Sequence, residues 1–137
     1  MIELRTPAEI EQMRPAGRFV AETLATLRDE TKVGTNLLAI DRRAHDLIRR
    51  AGAESCYIDY HPSFGASPFG KVLCTSVNDA VLHGLPHDHE LADGDLLSLD
   101  FACRVAVETP ASGSHHETRP PRRHCSHRPC GLSVVCR

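Results

Sequence analysis

The chain has 137 residues and a formal net charge of −2. That is one domain by length, without the basic excess that nucleic acid or a membrane surface calls for. No apolar run reaches the roughly 18 residues of a membrane span, and the opening MIELRTPAEIEQMR lacks the apolar core of a signal peptide, so the cytosol is the expected compartment.

Thr6-Pro7-Ala8-Glu9 reads as a helix start. Thr6 can cap, Pro7 suits the first helical position, and Glu9 completes a capping box. Ile10, Met13, Gly17, Val20, Leu24 and Leu27 then recur at steps of three and four and predict one buried helix face, with Gly17 permitting close packing. After a break at Lys32-Val33-Gly34-Thr35, either Thr35 or Asn36 can cap a second helix. Its face is Leu37, Ile40, Ala44, Leu47 and Ala51, and Gly52 ends it. Residues 53–70 carry no regular period. Tyr57, Tyr60, Phe64 and Phe69 alternate there with Pro and Gly, which reads as an aromatic loop, either a lid on the core or the wall of a pocket. Residues 71–75 and 80–83 read as short strands around the turn Ser76-Val77-Asn78-Asp79, a hairpin.

His83-Gly84-Leu85-Pro86 is a tight turn, and Leu96–Ala102 an apolar run of strand length that follows the turn pair Asp93-Gly94. An acid inside that run, Asp100, needs a partner, whether a basic group, a set of hydrogen bonds or a metal ion.

The tail differs from the rest. Residues 1–102 carry a net −6 and residues 103–137 a net +4, with four of the six cysteines. The tail has no Phe, Tyr, Met, Ile, Asn or Lys, the types with AT-rich codons. It reads as a GC-rich gene translated in a shifted frame, or else as a genuine low-complexity tail or a different extension; either way it lacks the apolar periodicity of a core, so disorder is expected. The division is therefore 1–102, folded, and 103–137, a disordered tail. His124, Cys125, His127, Cys130 and Cys136 are zinc-binding types, but their spacing matches no recognised finger.

Two stretches, TPAEIEQMRPAGRFVAE and CTSVNDAVLHGLPHDHELADGDLLSLDFA, resemble the first helix and the centre of the type I methionine aminopeptidases. These are metallopeptidases of the pita-bread fold, two similar halves closing around a site. The likeness runs from about residue 3 to residue 102 and stops there. It implies an α+β fold, the N-terminal half of a pita-bread fold: two helices leading into an antiparallel sheet.

The resemblance also implies a function, removal of N-terminal methionine from nascent proteins. In the intact family two divalent metal ions (Co, Mn, Fe or Zn) are held by two aspartates, a histidine and two glutamates. Asp100 matches the first aspartate. His83 matches the histidine that contacts substrate, against the plainer reading of a turn histidine with a backbone contact. Tyr60, Phe69 and Cys74 match the pocket for the methionine side chain. The second aspartate would fall at position 111, which is Ala, and the other three ligands have no counterpart. A single carboxylate does not hold a catalytic metal against water, so this chain is expected to bind none and to be inactive. Open sheet edges predict self-association. The alternative is a non-catalytic binding module of the same half-fold with a basic Cys/His tail.

Overall fold

The structure, a computed structural model, describes residues 4–61 and 67–106, and the backbone of 130–136. Helix α1 is Pro7–Glu30 and helix α2 Leu37–Arg50. Strands β1 (Glu54–Ser55), β2 (Cys74–Val77), β3 (Leu97–Arg104) and β4 (Cys130–Cys136) form one antiparallel sheet. The two helices on the sheet of β1, β2 and β3 are the α+β arrangement expected, and β4 adds a fourth strand.

Local chemistry starts each helix. The Thr6 hydroxyl accepts from the Glu9 N–H at 3.3 Å, and the Glu9 carboxylate accepts from the Thr6 N–H at 2.8 Å. This is the capping box read from the sequence. Asn36, rather than Thr35, caps α2, its side-chain oxygen accepting from the Leu38 N–H at 2.9 Å. The helices are clipped together by Arg43, whose guanidinium donates twice to Glu30, at 2.6 and 2.7 Å.

β3 is the hub of the sheet. It pairs with β1, with β2 and with β4, and Leu97–Asp100 has β2 on one edge and β4 on the other. Leu97, Leu99, Phe101 and Cys103 point to the helices, where they pack with Val20, Leu24, Leu27, Leu37, Ile40, Ala44 and Ile48. Each fully buried Leu, Ile or Phe contributes about 1.5–3 kcal/mol of transfer free energy. Because side chains alternate across a strand, Ser98, Asp100 and Ala102 face away from the helices.

Several expectations are corrected. The predicted face of α1 is buried only in its second half: Ile10 is 47% exposed, and nothing described lies within 4 Å of a Cβ built on Gly17. Gly17 therefore mediates no close packing among the described residues. On α2 the buried position near the end is Ile48, with Leu47 only partly covered. Residues 80–83 form no strand. The ladder partner of β2 is β3, and Val81 and Leu82 are 86% and 62% exposed. A local alternation cannot reveal that a strand's true partner lies twenty residues further on.

β3 also runs past Ala102 to Arg104, which takes Cys103 into the core. The backbone of Cys130–Cys136 runs as a strand along β3. Its alternate positions Cys130, Leu132, Val134 and Cys136 fall opposite the helix-side residues of β3, a period-two pattern that suits that edge. Residues 107–129 lie outside the described residues.

Candidate functional site

The far face of the sheet carries the polar residues. In the β2–β3 ladder Cys74 stands opposite Asp100, and Ser76 opposite Ser98, so these four share that face. Asp100 is half-buried, and Cys74 is 3% exposed.

Among the described residues the partner of Asp100 is a phenol and not the basic group that an acid in a strand suggests. The Tyr57 hydroxyl donates to Asp100 Oδ2 at 3.1 Å. Tyr57 is positioned by the turn after β1, where the Ser55 hydroxyl accepts from the Tyr57 N–H at 3.1 Å. Phe69 meets the Tyr57 ring edge to face, with centroids 5.7 Å apart. Burial, and next the charge of Asp100, push the Tyr57 hydroxyl well above the usual phenol range. The same two causes, in the same order, push the Cys74 thiol up to about 11. Both groups therefore stay protonated beside the carboxylate at neutral pH.

The histidine turn closes over β2. His83 has φ 58°, in the left-handed region that costs a residue with a Cβ, and is exposed. Gly84 presses on the strand. Its carbonyl accepts from the Thr75 N–H at 2.7 Å, and its N–H donates to the Ser76 hydroxyl at 3.1 Å. A Cβ at Gly84 would meet the Thr75 carbonyl oxygen at 2.4 Å, so only glycine fits there. The turn carrying His83 is thus fixed on β2 one rung from the Cys74–Asp100 pair.

Of the five residues singled out in the sequence, Asp100 and Cys74 are brought directly together. Phe69 reaches Asp100 through Tyr57. His83 is held on the adjoining turn. Tyr60 is 56% exposed and meets Phe69 through the backbone, its carbonyl accepting from the Phe69 N–H at 2.9 Å. The residue that sequence reasoning missed is Tyr57. Its only signal was membership of the aromatic loop, because nothing local tells which hydroxyl in that loop meets an acid on a distant strand. Phe64, Ala111 and the tail residues His124, Cys125 and His127 lie outside the described residues.

A pair of divalent ions takes several carboxylate and imidazole donors. Around Asp100 stand one phenol, whose proton already points at the carboxylate, and one protonated thiol. No group of three or more His, Cys, Asp and Glu suited to a metal occurs among the described residues. This donor set does not fit a two-metal centre.

The chain matches the profile of Metallopeptidase family M24 over residues 11–109. It belongs to that family. Among relatives of this M24 chain, the methionine aminopeptidase of Clostridium perfringens is 41% identical over 108 residues, which is 78% of this chain and 40% of that protein. The enzyme of the same name from Mycoplasma capricolum is 35% identical over 103 residues, 75% of this chain and 39% of that one. The crystal structure of methionine aminopeptidase from Rickettsia prowazekii superposes with a TM-score of 0.67 at 31% identity, over 75% of this chain and 39% of that one. Aminopeptidase P of Escherichia coli, at 22% identity and a TM-score of 0.55, shares the fold. The M24 chain thus spans about two fifths of the length of the curated relatives it matches. The match ends a few residues beyond β3.

Proposed function

We propose that this chain carries the first part of a methionine aminopeptidase site, and that its own residues do not hydrolyse a peptide. In this reading Asp100 takes the place of one metal-binding carboxylate of the intact site, and His83 the place that faces the substrate. Cys74 and Phe69 belong to the wall of the pocket for an N-terminal methionine, with Tyr60 at its exposed rim. The observation that carries the reading is the position of Asp100 on the far face of the sheet, directly opposite Cys74 on β2, the strand that also holds the His83 turn, in a chain whose relatives are named methionine aminopeptidases. Inactivity follows from the donor set: one carboxylate gives neither a metal pair nor a shared, acidified water.

The test is methionine release from a Met-Gly-initiated peptide, with manganese or cobalt(II) titrated into the purified chain. No release above a protein-free control is expected at any metal concentration, and calorimetry should show no saturable binding of the metal. Release that disappears in Asp100→Ala would overturn the proposal of inactivity.

Self-association through a sheet edge belongs to the same reading. β4 is paired on one side only among the described residues, and its seven residues carry no charge, which is the kind of edge that templates another strand. Sedimentation velocity at rising concentration should show a dimer or larger species. A monomer throughout would refute it.

A further inference from the structure

The site above leaves unused the cysteines at the end of β3 and the start of β4. Cys103 is 2% exposed and lies on the helix side of the sheet. In the β3–β4 ladder it stands directly opposite Cys130. Opposed residues of an antiparallel ladder have Cα atoms about 4.5 or 5.5 Å apart, according to whether the pair exchanges hydrogen bonds. Both separations fall within the roughly 4.4–6.8 Å that a disulfide spans. The register allows no easy slip. One residue of shift would set Cys103 opposite Gly131 or Pro129 and turn every position of β4 to the other face. α1 also lies against β4, and Cys103 is paired on its other edge with Ser55.

We propose that Cys103 and Cys130 form a redox-sensitive cross-strand disulfide that fastens β4 to the edge of β3. The oxidant is a small-molecule disulfide of the glutathione type. The thiolate of one cysteine attacks it, releases one reduced small thiol and becomes a mixed disulfide. The thiolate of the other cysteine then displaces the second small thiol. Two protein thiols and one small disulfide give one protein disulfide and two small thiols, so two electrons pass from the protein to the oxidant. Local opening at the strand end supplies access to the buried thiol.

The bond has a consequence for the neighbouring site. Asp100 lies three rungs from Cys103, with Ser133 opposite it on β4. The oxidised chain keeps β4 across the edge beside Asp100, while the reduced chain leaves that edge open to exchange with another strand.

The full chain is treated with oxidised glutathione under native conditions, quenched in acid, alkylated and digested without reductant. The expected result is loss of the mass of two hydrogen atoms and a cross-linked peptide pair holding Cys103 and Cys130, reversed by a reduced thiol. In denaturant the short loops of Cys125–Cys130 and Cys130–Cys136 close more readily, so the native pairing should be replaced by those. Cys136→Ser should keep the native cross-link. Cys130→Ser should lose it and leave Cys103 alkylated. A substituted chain can fail to fold, so the map of the unaltered protein decides. All six cysteines alkylated, or Cys130 joined natively to Cys125 or Cys136, would overturn the proposal.

Discussion

Tyr57 and Asp100 are 43 residues apart in sequence and share one hydrogen bond. Replacing Tyr57 by Phe keeps the ring contact with Phe69 and removes the donor, at a cost of about 1 kcal/mol at neutral pH. The larger effect is in alkali. Cys74 and Tyr57 both hold their protons more tightly in the folded chain than their ordinary values of 9.0 and 10.0. A group whose pKa is raised by folding stabilises the fold fully below its unfolded value, and that contribution is lost as pH rises through the folded one. Stability should therefore begin to fall near the ordinary thiol value of 9.0 and keep falling past about 11 for Cys74. Urea midpoints at neutral and alkaline pH should decline less steeply in Tyr57→Phe, and parallel curves would show that the phenol is not coupled to folding. Thr75 is a second residue with a definite cost. Its hydroxyl is buried on the helix side of the sheet, with no hydrogen-bond partner among the described residues. Thr75→Val keeps the shape and removes the unpaired group, so the midpoint should rise by an amount equivalent to roughly 1 kcal/mol.

At the scale of elements, two glycines make opposite predictions. Gly84→Ala drives a Cβ into the backbone of β2, and relieving it by a shift costs about 1–3 kcal/mol. Gly17→Ala meets nothing within 4 Å and removes a flexible residue from a helix interior, so it should stabilise by roughly 0.5–1 kcal/mol. Thermal melts of the two variants should move in opposite directions. A loss of stability in Gly17→Ala would mean that the upper half of α1 is covered after all. The same elements show what could be read beforehand. Thr6, Glu9 and Asn36 act on neighbours within three residues, so both helix starts were legible. β3 was legible because an apolar run with one acid is unusual. The hairpin at 71–83 was misread because Val81 and Leu82 have strand-like chemistry while β2 is satisfied by β3. In the site Asp100 announced itself, but its partner on the aromatic loop could not be read, since that pairing depends on how the loop folds back over the sheet.

For the whole molecule, the arrangement has a bearing on how the chain is made. β1 and β2 have no ladder with each other; each pairs with β3. The loops that flank the helices also wait for distant partners: Gly34 N–H donates to the Leu91 carbonyl at 2.7 Å, and Leu37 N–H to that of His89 at 3.0 Å. During synthesis the two helices can therefore form first, while no part of the sheet can begin until Leu97 and its followers emerge. The residues from Asn78 to Leu97 take roughly 1–4 s to add at cellular elongation rates. For that interval Val20, Leu24, Ile40 and Ile48 have no sheet to cover them, and a chain stopped at residue 95 should show helical circular dichroism without a cooperative melt. A nascent chain of this design spends its most exposed moments within reach of the ribosome and whatever chaperones wait there, and the arrival of a single strand ends them.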